Sequence, residues 1–211
     1  MMDQRSRRTE WQDIFPQILP PGDHPTMLSP QLQFPFDDQT WIISDTHFFH
    51  ENIGRYCDRP DGWQEMIIEN WNHLIQPGDV VLHVGDLALG KRENIEGLVP
   101  LLSGKLYLIR GNHDGRSKGF YQRLGITLVP DPYQMEHPSG LTLIFSHRPI
   151  LPLEPGVLNL HGHIHNSLAP ELDARHVNLC VEIRDYRPSR LKDVLDSCVP
   201  PLILPDNGVV S

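Results

Sequence analysis

The stretch Leu106-Tyr107-Leu108-Ile109-Arg110-Gly111-Asn112-His113-Asp114 is an apolar run of strand length that stops at a glycine, an amide, an imidazole and a carboxylate. A run without polar alternation is the pattern of a strand buried on both faces, and sites in α/β proteins lie where such strands end. Asn and Asp also suit plain turns, so the stretch alone leaves a simple strand-to-loop reading open. The rest of the chain repeats the pattern. Trp41-Ile42-Ile43-Ser44 runs into Asp45-Thr46-His47, and Val80–Val84 into Gly85-Asp86. Leu141–Phe145 meets Ser146-His147, and Val157–Leu160 leads to Gly162-His163-Ile164-His165. In an open α/β sheet such ends converge on one edge.

Between these runs, Trp63, Met66, Ile67, Trp71, Leu74 and Ile75 mark an amphipathic helix closed by Pro77-Gly78, and a shorter helix spans Glu93 to Val99. The first half therefore reads β-α-β-α-β, which favours parallel pairing. A helix at Ser117 to Leu124 follows, then strand-like segments at Ile126–Val129, Leu141–Phe145, Val157–Leu160 and Val177–Ile183. Loops rich in Pro and Gly join them without long helical patterns, which suggests antiparallel or mixed pairing. Ser189 is a good N-cap for a last helix carrying Leu191, Val194 and Leu195 on one face.

A polar, proline-rich arm occupies residues 1–39, with one helical stripe at Trp11, Ile14, Phe15, Ile18 and Leu19 stopped by Pro20-Pro21. One domain is expected over 40–199, and a tail over 200–211. With 211 residues the chain can bury one substantial core. Its three cysteines form no CxxC pair and read as reduced thiols, no apolar run reaches membrane-spanning length, and no signal-peptide core is evident, so a cytoplasmic protein is expected. The formal charge of −9 argues against a non-specific grip on nucleic acid and leaves room for a local, metal-made positive site.

Together the polar clusters offer oxygen and imidazole donors and no thiolate. That set suits manganese, iron, zinc or cobalt and argues against copper(I) or iron–sulfur clusters. A carboxylate can bridge two cations, so the donors are enough for a pair. Phosphate esters resist hydrolysis because an anionic nucleophile must approach an anionic phosphorus. Two cations ~3.5–4 Å apart neutralise the phosphate and lower the pKa of a shared water. The leaving alkoxide still needs a proton, which an imidazole titrating near neutrality can supply.

These five blocks, in this order and over Trp41 to Arg187, resemble the signature of the calcineurin-like metallophosphoesterases, in the style of small bacterial and phage members. The resemblance implies a four-layer α/β/β/α sandwich of two mixed sheets. It also implies a two-metal site, with Asp45, His47 and His165 on one cation, Asn112, His147 and His163 on the other, and Asp86 bridging. His113 would face the substrate as general acid. Asp114 would orient His113 or a ligand histidine. Two divalent ions per chain follow, manganese first, with iron, zinc, cobalt or nickel as alternatives.

Ser146-His147-Arg148 departs from many relatives after the histidine, so local substrate contacts differ there; Arg148 and Arg116 are candidates to grip phosphate oxygens. His83 and His161 read as core or supporting residues, and His50, His73, His137 and His176 as ordinary histidines. The expected function is hydrolysis of a small phosphate monoester or diester, a nucleotide among the candidates, by a metal-bridging hydroxide. The rivals are a non-catalytic metal-binding scaffold of the same fold and a single-metal hydrolase. Substrate and oligomeric state stay open at this point.

Overall fold

The computed structural model describes residues 33–198. The stripe at Trp11 to Leu19 and the tail 200–211 lie outside the described residues.

The first sheet has the order β4-β3-β2-β1-β9, built from β1 (Trp41–Ile43), β2 (Val80–His83), β3 (Lys105–Ile109), β4 (Thr127–Val129) and β9 (Ser189–Arg190). Strands β1 to β4 run parallel, with Ile43 opposite His83 and His83 opposite Leu108, while β9 lies antiparallel on β1. The second sheet has the order β5-β6-β7-β8, from β5 (Tyr133–Glu136), β6 (Thr142–Ser146), β7 (Val157–His161) and β8 (His176–Asn178). There β6, β7 and β8 are parallel and β5 is antiparallel. Both sheets are mixed, as expected for the metallophosphoesterase fold.

Strand residues alternate between faces, and each face of the first sheet has its own core. Trp41, Ile43, Val81, Leu106 and Leu108 face helices α1 (Ile53–Tyr56), α2 (Trp63–Leu74), α3 (Arg92–Leu98) and α4 (Lys118–Arg123). The spacing of Trp63, Ile67 and Trp71 places one stripe of α2 in that core, and the buried Trp71 indole donates to Ser103 O at 2.8 Å. Ile42, Leu82, Val84 and Ile109 point the other way, against Leu143, Phe145, Leu158 and Leu160 of the second sheet. Helix α5 (Leu191–Cys198) adds Leu191, Val194 and Leu195 to this inter-sheet core. Burying each such side chain is worth roughly 1.5–3 kcal/mol, so the inter-sheet layer is the main force holding the two halves together.

Three local expectations are corrected. The run Val177–Ile183 is not one strand: β8 ends at Asn178 and a 3₁₀ turn covers Val181–Ile183. Ser189 does not cap the last helix; it pairs with Ile42 as part of edge strand β9. The core also takes in Phe34 and Phe36 from the end of the polar arm, with rings 5.2 Å (Phe34–Tyr133) and 5.3 Å (Phe36–Tyr107) from their neighbours.

Candidate metal centre

Every polar cluster emerges at the end of a strand. Asp45 and His47 follow β1, Asp86 follows β2, Asn112 and His113 follow β3, His147 follows β6, and His163 and His165 follow β7. The two sheets are stitched together where these ends meet. Ser44 N donates to Leu179 O at 3.2 Å, Val181 N to Ser44 O at 3.3 Å, and His163 N to the Asp45 carboxylate at 3.0 Å.

The hydrogen bonds divide each carboxylate into a held oxygen and a presented one. Asp45 Oδ2 accepts from Ser44 Oγ, His163 N and Cys180 Sγ. Asp45 Oδ1 is buried, has no hydrogen-bond partner, and faces His47 Nε2 at 3.6 Å and His165 Nε2 at 3.7 Å. Asp86 Oδ1 accepts from His113 N at 2.8 Å. Asp86 Oδ2 stands between two imidazoles, 3.4 Å from His47 Nε2 and 3.3 Å from His147 Nε2. Burial opposes charge on both carboxyls, but the surrounding histidines outweigh it. Asp45 is held well below its usual range, and Asp86 falls to about 2.

The imidazoles are oriented to match. His147 Nδ1 lies 3.1 Å from Val84 O and donates to it, which turns Nε2 toward Asn112 Oδ1 at 3.0 Å and Asp86 Oδ2 at 3.3 Å. His165 Nδ1 lies 2.9 Å from Glu182 Oε1, which likewise turns its Nε2 toward Asp45. Burial keeps His47 below its ordinary value and pushes His163 down to about 4, which disfavours the protonated ring at both. Burial opposes charge on His147 too, but Asp86 and Asp45 raise it to about 9: the place attracts positive charge. Asp45, His47 and His165 bring donor atoms within 4.8 Å of one another, as do Asp86, His147 and His163. Asp45 Oδ1 and His47 Nε2, both buried without a hydrogen-bond partner, are costly unless something electropositive meets them. The donor set fits divalent cations.

The backbone is strained to reach this arrangement. Asp45, His47, Asp86, His163 and His165 all adopt positive φ, between 51° and 72°. Such conformations cost of order 1–3 kcal/mol each in a non-glycine residue and persist where the surrounding structure enforces them. The glycines beside them leave no room for a methyl group. A Cβ on Gly111 would lie 2.1 Å from Asp86 Oδ1, and one on Gly162 would lie 2.1 Å from Asp45 Oδ2.

Residues 39–199 match the model of the calcineurin-like phosphoesterases. The chain belongs to that family. It is 32% identical over 166 residues to "Uncharacterized protein MJ1445" of Methanocaldococcus jannaschii, covering 72% of this chain and 86% of that one. Among solved structures, the protein of unknown function AQ665 from Aquifex aeolicus superposes with a TM-score of 0.60 at 26% identity, over 76% of this chain and 98% of that one. The nuclease MPE of Pseudomonas putida is more distant, at 21% identity and a TM-score of 0.42, too slight a likeness to bear on function. Family membership implies metal-dependent hydrolysis of phosphate esters. Among the described residues no helix is long and apolar enough to cross a membrane.

In this calcineurin-like phosphoesterase several expected residues are found in altered settings. Asp114 does not reach a histidine: its buried carboxylate accepts from Asp86 N (2.7 Å), Gly111 N (2.8 Å) and Leu87 N (3.1 Å), clamping two site loops together. Burial and the neighbouring Asp86 push it up to about 7 against those donors. Arg116 is exposed and donates to Gly90 O. Arg148 is half-buried beside His147, and its charge is felt at His163. His83 is buried against Thr46 Oγ1 at 3.0 Å, and His161 against Gly162 O at 2.9 Å, both in supporting positions.

Sequence reading misses three residues. Arg59 and Glu182 form a buried ion pair at 2.6 Å, and Arg59 also donates to Asp45 O and Thr46 O. His50, read as an ordinary histidine, stands beside the site with its ring 5.4 Å from that of His47. A separation of 123 residues hides the Arg59–Glu182 pair from sequence, whereas the DxHxxH spacing of Asp45, His47 and His50 was a usable signal.

Proposed function

We propose that the chain is a dinuclear metal-dependent phosphoesterase. The observation that carries this reading is the position of Asp86 Oδ2, within 3.4 Å of His47 Nε2 and 3.3 Å of His147 Nε2, at the junction of the two donor groups. Asp45, His47 and His165 would hold one cation, Asn112, His147 and His163 the other, and Asp86 both. When bound, such a pair neutralises phosphate charge and activates water for attack on phosphorus.

The residues of the chain do the rest. Val84 O and Glu182 fix which nitrogen of His147 and of His165 carries the proton. Asp86 Oδ1 pins the backbone of His113, whose half-buried ring lies 5.0 Å from that of His47. In this reading His113 stands beside the reacting ester and delivers a proton to the departing oxygen. Of the two arginine candidates for contact with a phosphate oxygen, Arg148 follows His147 and its charge is felt at His163, whereas Arg116 is engaged with Gly90 O. A small phosphate ester is the proposed substrate and manganese the first cation to test.

Elemental analysis and a panel of phosphomonoesters and phosphodiesters with added manganese test the proposal. The expected results are two ions per chain, hydrolysis of at least one ester class, and loss of both ions together in Asp86→Ala. One ion per chain would favour a single-metal hydrolase, and two ions with no turnover would favour a scaffold.

A further inference from the structure

His50 sits in the loop after β1, half-buried, with its ring centroid 5.3 Å from that of His113 and 5.4 Å from that of His47. Its backbone is fixed from both sides: His50 N donates to His47 O at 3.0 Å, and Ile53 N at the start of α1 donates to His50 O at 3.3 Å. The residue before it, Phe49, is held at φ 64° and donates to Gln64 Oε1 at 2.9 Å. With Asp45 and His47, Phe49 makes three alternate residues in the left-handed region, and this strained track delivers the ring to the site.

The ring has one defined hydrogen-bonding role. His50 Nδ1 accepts from Asn52 N at 3.3 Å, so Nδ1 carries the lone pair and Nε2 carries the proton. Among the described residues none accepts that Nε2–H. A neutral imidazole with its lone pair already engaged is a poor proton shuttle and a good fixed donor. It differs in this from His113, whose proposed role is transfer.

We infer that His50 contacts the substrate, its Nε2–H donating to an oxygen of a phosphate group lying against His47 and His113. This rests on the phosphoesterase reading above and adds to it a donor that recognises the phosphoryl group, whether on an ester or as free inorganic phosphate.

The test compares manganese-loaded wild type with His50→Ala and with His50→Gln, which keeps an amide donor. Metal content is measured first. The affinity for inorganic phosphate is then measured by titration calorimetry, and kcat/KM on a nitrophenyl and an alkyl ester of the same phosphate type. The expected result for His50→Ala is unchanged metal content, phosphate binding about 10-fold weaker, and a similar fall in kcat/KM on both esters, since a hydrogen bond to a charged group is lost. His50→Gln should recover most of both. Unchanged phosphate affinity and kcat/KM in His50→Ala would overturn the inference. So would loss of metal, which would make His50 a ligand, or a loss confined to the alkyl ester, which would make it a proton donor. Phosphate binding that depends on His50, in a wild type that hydrolyses nothing, would support the inference and refute the esterase reading alone.

Discussion

Glu182 Oε1 lies 2.9 Å from His165 Nδ1, and the same oxygen takes the Arg59 guanidinium at 2.6 Å. One buried carboxylate therefore both sets the tautomer of a candidate ligand and neutralises a buried cation. Glu182→Gln keeps the shape and removes the charge. The expected outcome is a 10- to 100-fold loss of affinity for one of the two cations. Stability should also fall by about 3–5 kcal/mol, because Arg59 is left buried without its counter-ion. Metal titration and denaturant unfolding check the two parts separately; a variant unchanged in both would show that the pair is incidental.

Replacing His113 with alanine should leave the metal content intact, since its ring is not among the proposed ligands. Turnover of alkyl esters should drop by ~10²–10⁴. Nitrophenyl esters, whose leaving group departs without a proton, should suffer much less. Equal damage to both ester types would count against the general-acid role.

The fold should be sensitive to where the N-terminal arm is cut. Phe36 is buried in the inter-sheet core, and Phe34 stacks on it at 5.5 Å. Phe36→Ala is expected to cost about 3–5 kcal/mol. Removing residues 1–32 should preserve the described aromatic cluster, whereas removing 1–39 should lower the unfolding midpoint markedly while the site residues remain in the chain. Equal midpoints for the two truncations would contradict this.

Asp79 gives a pH-dependent contribution well away from the site. Its carboxylate accepts from Trp41 Nε1 at 2.9 Å and from Gln76 N at 3.1 Å, with Arg190 at 3.5 Å. The Gln76 and Trp41 donors, then Arg190, lower its pKa. A carboxyl whose folded pKa is depressed stabilises the fold above the unfolded value, ~3.9, and loses that contribution as pH falls through the folded value. Asp79→Asn should therefore be less stable than wild type at pH 7 by up to about 1 kcal/mol for a partly exposed group. The gap should close at a pH low enough to protonate Asp79 in both states. Paired denaturant curves at the two pH values decide it.

What could be read from sequence follows burial. Strands β1, β2 and β3 are buried on both faces, so hydrophobicity alone marks them, and the polar residues at their ends stand out by contrast. Strand β5 escapes notice because Tyr133-Gln134-Met135-Glu136 lies at a sheet edge with a single neighbour, so its composition is only half apolar. The break after Asn178 is invisible because it is set by Ser44, which bonds to Leu179 and Val181 from another strand. That break turns Glu182 toward His165. Asp114 was legible as a buried acid of the site but not as a backbone clamp, since its partners Asp86 and Leu87 lie 28 and 27 residues away.

The division of the donors between the sheets has a consequence for the life of the chain before it is fully folded. Asp45, His47, Asp86 and Asn112 project from the first sheet, while His147, His163 and His165 arrive only with the second. Contacts between residues 118 positions apart, such as His163 to Asp45, form late because a long loop must close before they can be made. A nascent chain that has assembled only β1 to β4 holds an incomplete set of donors. The candidate metal centre is thus withheld until both sheets are in place.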